Sequence, residues 1–124
     1  MKVLAAFPKL LVRDVPASLR FYEEVLGFDC AATFGDPPAF AIVERDGLGI
    51  HLKQGLPRPR RDESEAWDVY LEIADLDAFV LELRERGARI LRGPAVQEYG
   101  MTELDVVDPD GYIICFAEDA ATGR

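Results

Sequence analysis

The 124-residue sequence predicts an α+β protein made of two βαβββ modules. Three observations carry that prediction. Two stretches share one plan: a short apolar strand, an aspartate, an amphipathic helix and a glycine. Each is followed by an Asp-Gly pair set between two strand-like runs. The strands alternate apolar with polar residues, as half-buried sheets do.

The first module is expected over about 5–54, in strands 5–13, 28–34, 39–45 and 48–54. The stretch LLVRDVPASLRFYEEVLGF (10–28) supplies its first strand and helix. Asp14 is placed to cap the helix, Pro16 fits its first turn, and Gly27 fits the position just past its end. Val15, Leu19, Tyr22 and Leu26 recur at helical spacing. IVERDGLGIHLK (42–53) then reads as a hairpin about Asp46-Gly47. The segment 55–65, GLPRPRRDESE, is rich in proline and charge and reads as a linker.

The second module is expected over about 66–119, in strands 67–74, 89–97, 101–107 and 112–118. In LEIADLDAFVLELRERGA (71–88), Asp75 takes the cap position, Leu76, Phe79, Val80 and Leu83 the buried stripe, and Gly87 the end. DVVDPDGYIICFA (105–117) repeats the Asp-Gly hairpin. Superposing the hairpins puts His51 on Cys115, and superposing the first strands puts Phe7 on Asp68. The two modules are read as a single domain covering 1–124.

Two faces follow from the alternation. Val69, Leu71, Ile73, Leu104, Val106, Ile50, Leu52, Ile114 and Phe116 make an apolar face for the helices. Asp68, Tyr70, Glu72, Glu103, Asp105, His51, Lys53, Ile113 and Cys115 make a mixed one, better suited to lining a cleft than to open solvent. Glu103 and Asp105 read as a solvated acidic rim that would favour cationic ligands. Tyr70, Tyr99 and Phe40 are candidate walls for a flat ligand.

The net charge of −9, from 14 basic and 23 acidic residues, argues against nucleic acid as a partner. No apolar run approaches the roughly 18 residues of a membrane span. The opening MKVLAAFPKLLV is too interrupted for a signal peptide, so a cytoplasmic location is expected, with Cys30 and Cys115 as free thiols.

The two quoted stretches LLVRDVPASLRFYEEVLGF and YGMTELDVVDPDGYIICFAE resemble the vicinal oxygen chelate superfamily of glyoxalases, extradiol dioxygenases and bleomycin-resistance proteins. The resemblance covers almost the whole chain. It implies curved mixed sheets around a cleft, commonly completed by homodimerisation. Metal-dependent members place one ligand on each of four strands, and the matching positions here are Phe7, His51, Asp68 and Cys115. Phe7 has no donor atom, and Cys115 replaces the usual glutamate with a soft ligand. Zinc could accept Asp68, His51 and Cys115 with a water, but no metal or cofactor is favoured. The segment YGMTEL is similar to the WGxRE of bleomycin-resistance-type proteins, with Tyr99 in the tryptophan place and Thr102 in the arginine place.

The function implied is metal-independent sequestration of a small organic molecule, cationic or aromatic, with Phe40, His51, Asp68, Tyr70, Tyr99, Glu103 and Cys115 as ligand contacts. The alternative is a divergent metal-dependent glyoxalase or dioxygenase using His51 and Asp68, with Glu103 or His51 as base. A third reading is a module that binds only a protein partner. Cys115 is read as a small filler rather than a nucleophile, since no oxyanion-hole motif accompanies it.

Overall fold

The computed structural model describes residues 1–59 and 67–123. It divides into two compact units, Met1–Arg58 and Pro59–Arg124. Each holds a four-stranded mixed sheet and one helix, so the α+β class and the paired βαβββ plan are those read from the sequence.

In the first unit, β1 (Lys9–Val12), α1 (Val15–Glu24), β2 (Asp29–Phe34), β3 (Phe40–Arg45) and β4 (Leu48–Gln54) form a sheet of order β1-β4-β3-β2. β1 runs parallel to β4 and the other pairs are antiparallel. The Asp14 side chain accepts a hydrogen bond from the Ala17 amide at 3.1 Å, the expected cap. Gly27 ends the helix at φ 78°. The buried stripe is Val15, Ser18, Tyr22 and Leu26, so the small Ser18 takes an inward place and Leu19 is only half-buried. That apolar stripe meets Ala41, Val43, Ile50 and Leu52, all buried; each large aliphatic side chain so buried contributes about 1.5–3 kcal/mol. β1 is shorter than the expected 5–13, because ladder pairing with β4 begins only at Lys9.

The second unit repeats the plan in β5 (Val69–Glu72), α2 (Leu76–Glu85), β6 (Arg89–Val96), β7 (Met101–Val107) and β8 (Ile113–Asp119), with order β5-β8-β7-β6. Leu76, Phe79, Val80 and Leu83 are buried, and Phe79 meets Phe116 edge to face at 4.8 Å. The Asp75 side chain does not cap α2, which corrects the sequence reading. Asp75 sits in the left-handed region at φ 60°, and Glu118 Oε1 accepts from the Leu76 amide instead, at 3.1 Å.

The two Asp-Gly hairpins also differ. Asp46 and Gly47, both at positive φ, make a two-residue turn between paired Arg45 and Leu48. In the second unit the connection is five residues, 108–112, and Asp108 Oδ1 organises it by accepting from the Asp110 and Tyr112 amides at 2.9 Å each. Most of the expected linker, from residue 60 to 65, lies outside the described residues.

Candidate ligand-binding site

The mixed faces of the two sheets carry different chemistry. In the second unit one row of side chains crosses the whole sheet. Strand register sets Tyr70 beside Cys115, Cys115 beside Asp105, and Asp105 beside Arg92. Glu103 lies two residues along β7 on the same face, opposite Ala117 and Ala95. The Tyr70 hydroxyl donates to Glu103 Oε2 at 2.8 Å, and the Tyr99 hydroxyl donates to the same oxygen. The Arg92 guanidinium pairs with Asp105 Oδ2 at 3.0 Å.

Burial overturns the expected solvated rim. Glu103 is 9% exposed and Asp105 6%, because both are tied into the sheet by tyrosine or arginine partners. Burial raises the Asp105 pKa, against the opposing pull of the Cys115 hydrogen bond and Arg92. Cys115 is fully buried. Burial and the Asp105 carboxylate hold its thiol well above the usual range, so it stays protonated and lies behind the lining, not on it. Tyr99, 59% exposed, has its pKa pushed up to about 12 by its hydrogen bond to Glu103, then by desolvation. Desolvation and the same carboxylate raise Tyr70 further.

A bulged β6 makes this arrangement possible. Its register against β7 shifts between Ile90 and Arg92 and again between Arg92 and Ala95. Gly93 sits in that bulge at φ 87°, and a Cβ there would come within 2.2 Å of the Glu103 carbonyl oxygen. Only glycine allows so close an approach.

The first unit presents rings instead. Phe34, Phe40, His51 and Phe7 form an unbroken chain with centroids 5.9, 5.4 and 5.0 Å apart, and Phe7 stacks on His51 at 27°. Gly49 makes the room: a Cβ there would lie 2.7 Å from the Phe7 ring.

At the four positions matching the metal ligands of the resemblance, Phe7 brings no donor atom and the Asp68 and Cys115 side chains have other partners. Phe7 offers a ring stacked on the imidazole. Asp68 clamps the start of β8, its Oδ2 accepting from the Ile113 amide at 2.9 Å while its own amide donates to the Ile113 carbonyl at 2.8 Å. Cys115 offers a protonated thiol bound to Asp105. Among the described residues, no three His, Cys, Asp or Glu side chains gather as a metal-holding group.

The structure thus joins Tyr70, Tyr99 and Glu103 in one unit and Phe40, His51 and Phe7 in the other, and uses Asp68 and Cys115 structurally. The sequence reading missed Arg92, Phe34 and Trp67. Trp67 is half-exposed with its ring 5.0 Å from Tyr70. Alternation gave no signal for it, since an odd spacing from Tyr70 assigns Trp67 to the opposite, apolar face. Arg92 was hidden by the bulge, which breaks the alternation that assigns faces.

Residues 4–116 match the family model of the Glyoxalase/Bleomycin resistance protein/Dioxygenase superfamily. The chain belongs to this superfamily. Within it, the chain is similar to virulence protein STM3117 of Salmonella typhimurium, 30% identical over 112 residues that cover 85% of this chain and 76% of that protein. The crystal structure of STM3117 superposes with a TM-score of 0.71 at 25% identity, covering 94% and 97% of the two chains. TnmS3, an antibiotic binding protein from Streptomyces sp. CB03234, superposes with a TM-score of 0.71 at 26% identity, covering 93% and 94%. TioX from Micromonospora sp. ML1 shares the superfamily fold with a TM-score of 0.78 at 15% identity, covering 94% and 99%. Among the described residues, no helix is long and apolar enough to cross a membrane.

Proposed function

We propose that this superfamily member binds a small organic molecule and holds it without a metal and without breaking a bond. The observation that carries this reading is the Tyr70–Glu103–Tyr99 centre. It is a buried carboxylate whose orientation is fixed by two phenols, one of them with an exposed ring. Sites of this kind, a few placed polar groups among aromatic walls, bind by complementarity. The chain of rings through Phe7, His51, Phe40 and Phe34 supplies a second stacking surface. The likeness to TnmS3 gives the reading a ligand class, antibiotics, and with it a role in resistance by sequestration. The reading includes a homodimer located in the cytoplasm.

The test is a thermal-shift screen of the purified protein against aromatic and cationic antibiotics. A true ligand raises the melting temperature, and the rise grows with the logarithm of its concentration once that exceeds Kd. It is recovered chemically unchanged by mass spectrometry after prolonged incubation. Recovery of a hydrolysed, isomerised or oxygenated product would sink the binder and favour an enzyme. In that case His51→Ala should abolish turnover, whereas in a binder it weakens affinity only modestly.

A further inference from the structure

We propose that Glu103 is the anchor for a positively charged nitrogen, so that the molecule taken up at the second unit's site is an ammonium-bearing organic compound with a flat body. This rests on the small-molecule reading and names the chemistry of its ligand. Three observations carry it. First, both tyrosine hydroxyls use Glu103 Oε2, and among the described residues nothing donates to Oε1. No fully buried side-chain oxygen among those residues lacks a partner, so Oε1 is not wholly sealed although the residue is only 9% exposed.

Second, the local charges are unequal. Asp105 has Arg92 as counterion at 3.0 Å, whereas Glu103 has no lysine, arginine or histidine partner among the described residues. A carboxylate drawn this far out of water is costly to leave without a counterion. A ligand cation supplies the missing one. Third, the surround suits a cation with an aromatic body. The exposed Tyr99 ring offers a π face beside the carboxylate it donates to, and the exposed Trp67 ring lies 5.0 Å from the other donor, Tyr70. The net charge of −9 also draws cations toward the molecule.

The deciding experiment compares amines with their N-acetyl derivatives, neutral but otherwise the same. Daunorubicin and N-acetyldaunorubicin, and tryptamine and N-acetyltryptamine, are titrated calorimetrically into the full-length protein. Each amine should bind at least about tenfold more tightly than its acetamide, the range expected for a charge-assisted hydrogen bond. Glu103→Gln should close the gap by weakening the amine alone. The comparison on the unaltered protein needs no variant, so equal affinities there overturn the anchor even if that variant folds poorly. Equal affinities within each pair, or a gap that survives Glu103→Gln, would overturn the anchor and leave small-molecule binding standing. Failure of every amine to bind also overturns it. Neutral antibiotics that still stabilise the protein would then preserve the broader reading, and a wholly silent panel would remove both.

Discussion

Asp105 faces Cys115 on one side and Arg92 on the other, and its burial makes it the most delicately held charge of the site. Its pKa is raised by desolvation, so its ionised form costs stability at neutral pH and costs nothing once protonated in acid. Removing Arg92 deepens that cost. Arg92→Ala should destabilise by about 1–2 kcal/mol at neutral pH, a figure kept small because the guanidinium is partly exposed. The loss should shrink as pH falls and Asp105 takes up its proton; urea melts at neutral and acidic pH read both. A constant loss would mean that Arg92 acts only through packing. Tyr99 runs the other way on the pH scale. Its folded pKa of about 12 lies above the ordinary tyrosine value of 10.0. The stability it contributes is therefore complete below pH about 10 and lost as pH rises toward 12. Alkaline titration of phenolate absorbance should show a component near pH 12 that Tyr99→Phe removes. At this scale the sequence pointed to the right residues more often than to their roles. Tyr70 and Glu103 were legible as candidates because alternation put them on one face, and Tyr99 because it is an aromatic residue in the YGMTEL stretch that is similar to WGxRE. Their shared oxygen was not, since no spacing rule encodes a contact between separate strands.

At the scale of elements, the helices and hairpins were the most legible parts, because their signals are local. Both helices have the expected terminal glycines, α2 buries the expected stripe, α1 does so except that Ser18 takes the inward place of Leu19, and Asp14 caps as its type and position foretold. Asp75 failed as a cap for a non-local reason: a carboxylate from the distant β8 took the job. β6 was legible as a strand but not in its register, since a bulge is a property of the pair of strands. Gly93 is the residue on which that bulge depends. Gly93→Ala should cost at least about 2 kcal/mol, combining backbone strain with a collision against the Glu103 carbonyl, and should loosen the Arg92–Asp105 pair. Gly87→Ala is the control. It too has positive φ, 72°, but a Cβ there meets nothing within 4 Å, so its loss should stay near about 1 kcal/mol. Equal losses by chemical denaturation would count against the collision.

For the whole molecule, the repeat was readable because both copies keep the same strand and helix order. Their chemistry has diverged. The row that reads Tyr70, Cys115, Asp105, Arg92 in one unit reads Lys9, His51, Ile42 in the other, and rings replace ionic contacts. Two of the four positions that carry metal in metal-dependent relatives are accordingly occupied by Phe7 and a protonated Cys115. Elemental analysis after loading with zinc, manganese, iron, cobalt or nickel and desalting should find far less than one ion per chain. Stoichiometric retention abolished by His51→Ala or Asp68→Ala would reverse the conclusion drawn from the donor set. The sequence raised this expectation through Phe7 and Cys115, the two positions that depart from the usual ligand types. The structural uses of Asp68 and Cys115 needed the register of β8 to become visible.

That both phenols converge on a single oxygen of Glu103 has a stereochemical consequence. A guanidinium forks onto a carboxylate by using its two oxygens in parallel, and here one of them already accepts twice. The remaining oxygen suits a compact point charge that can approach from one direction. An anchor of this kind would discriminate between two kinds of cation of equal charge, taking lysine-like amines in preference to arginine-like ones.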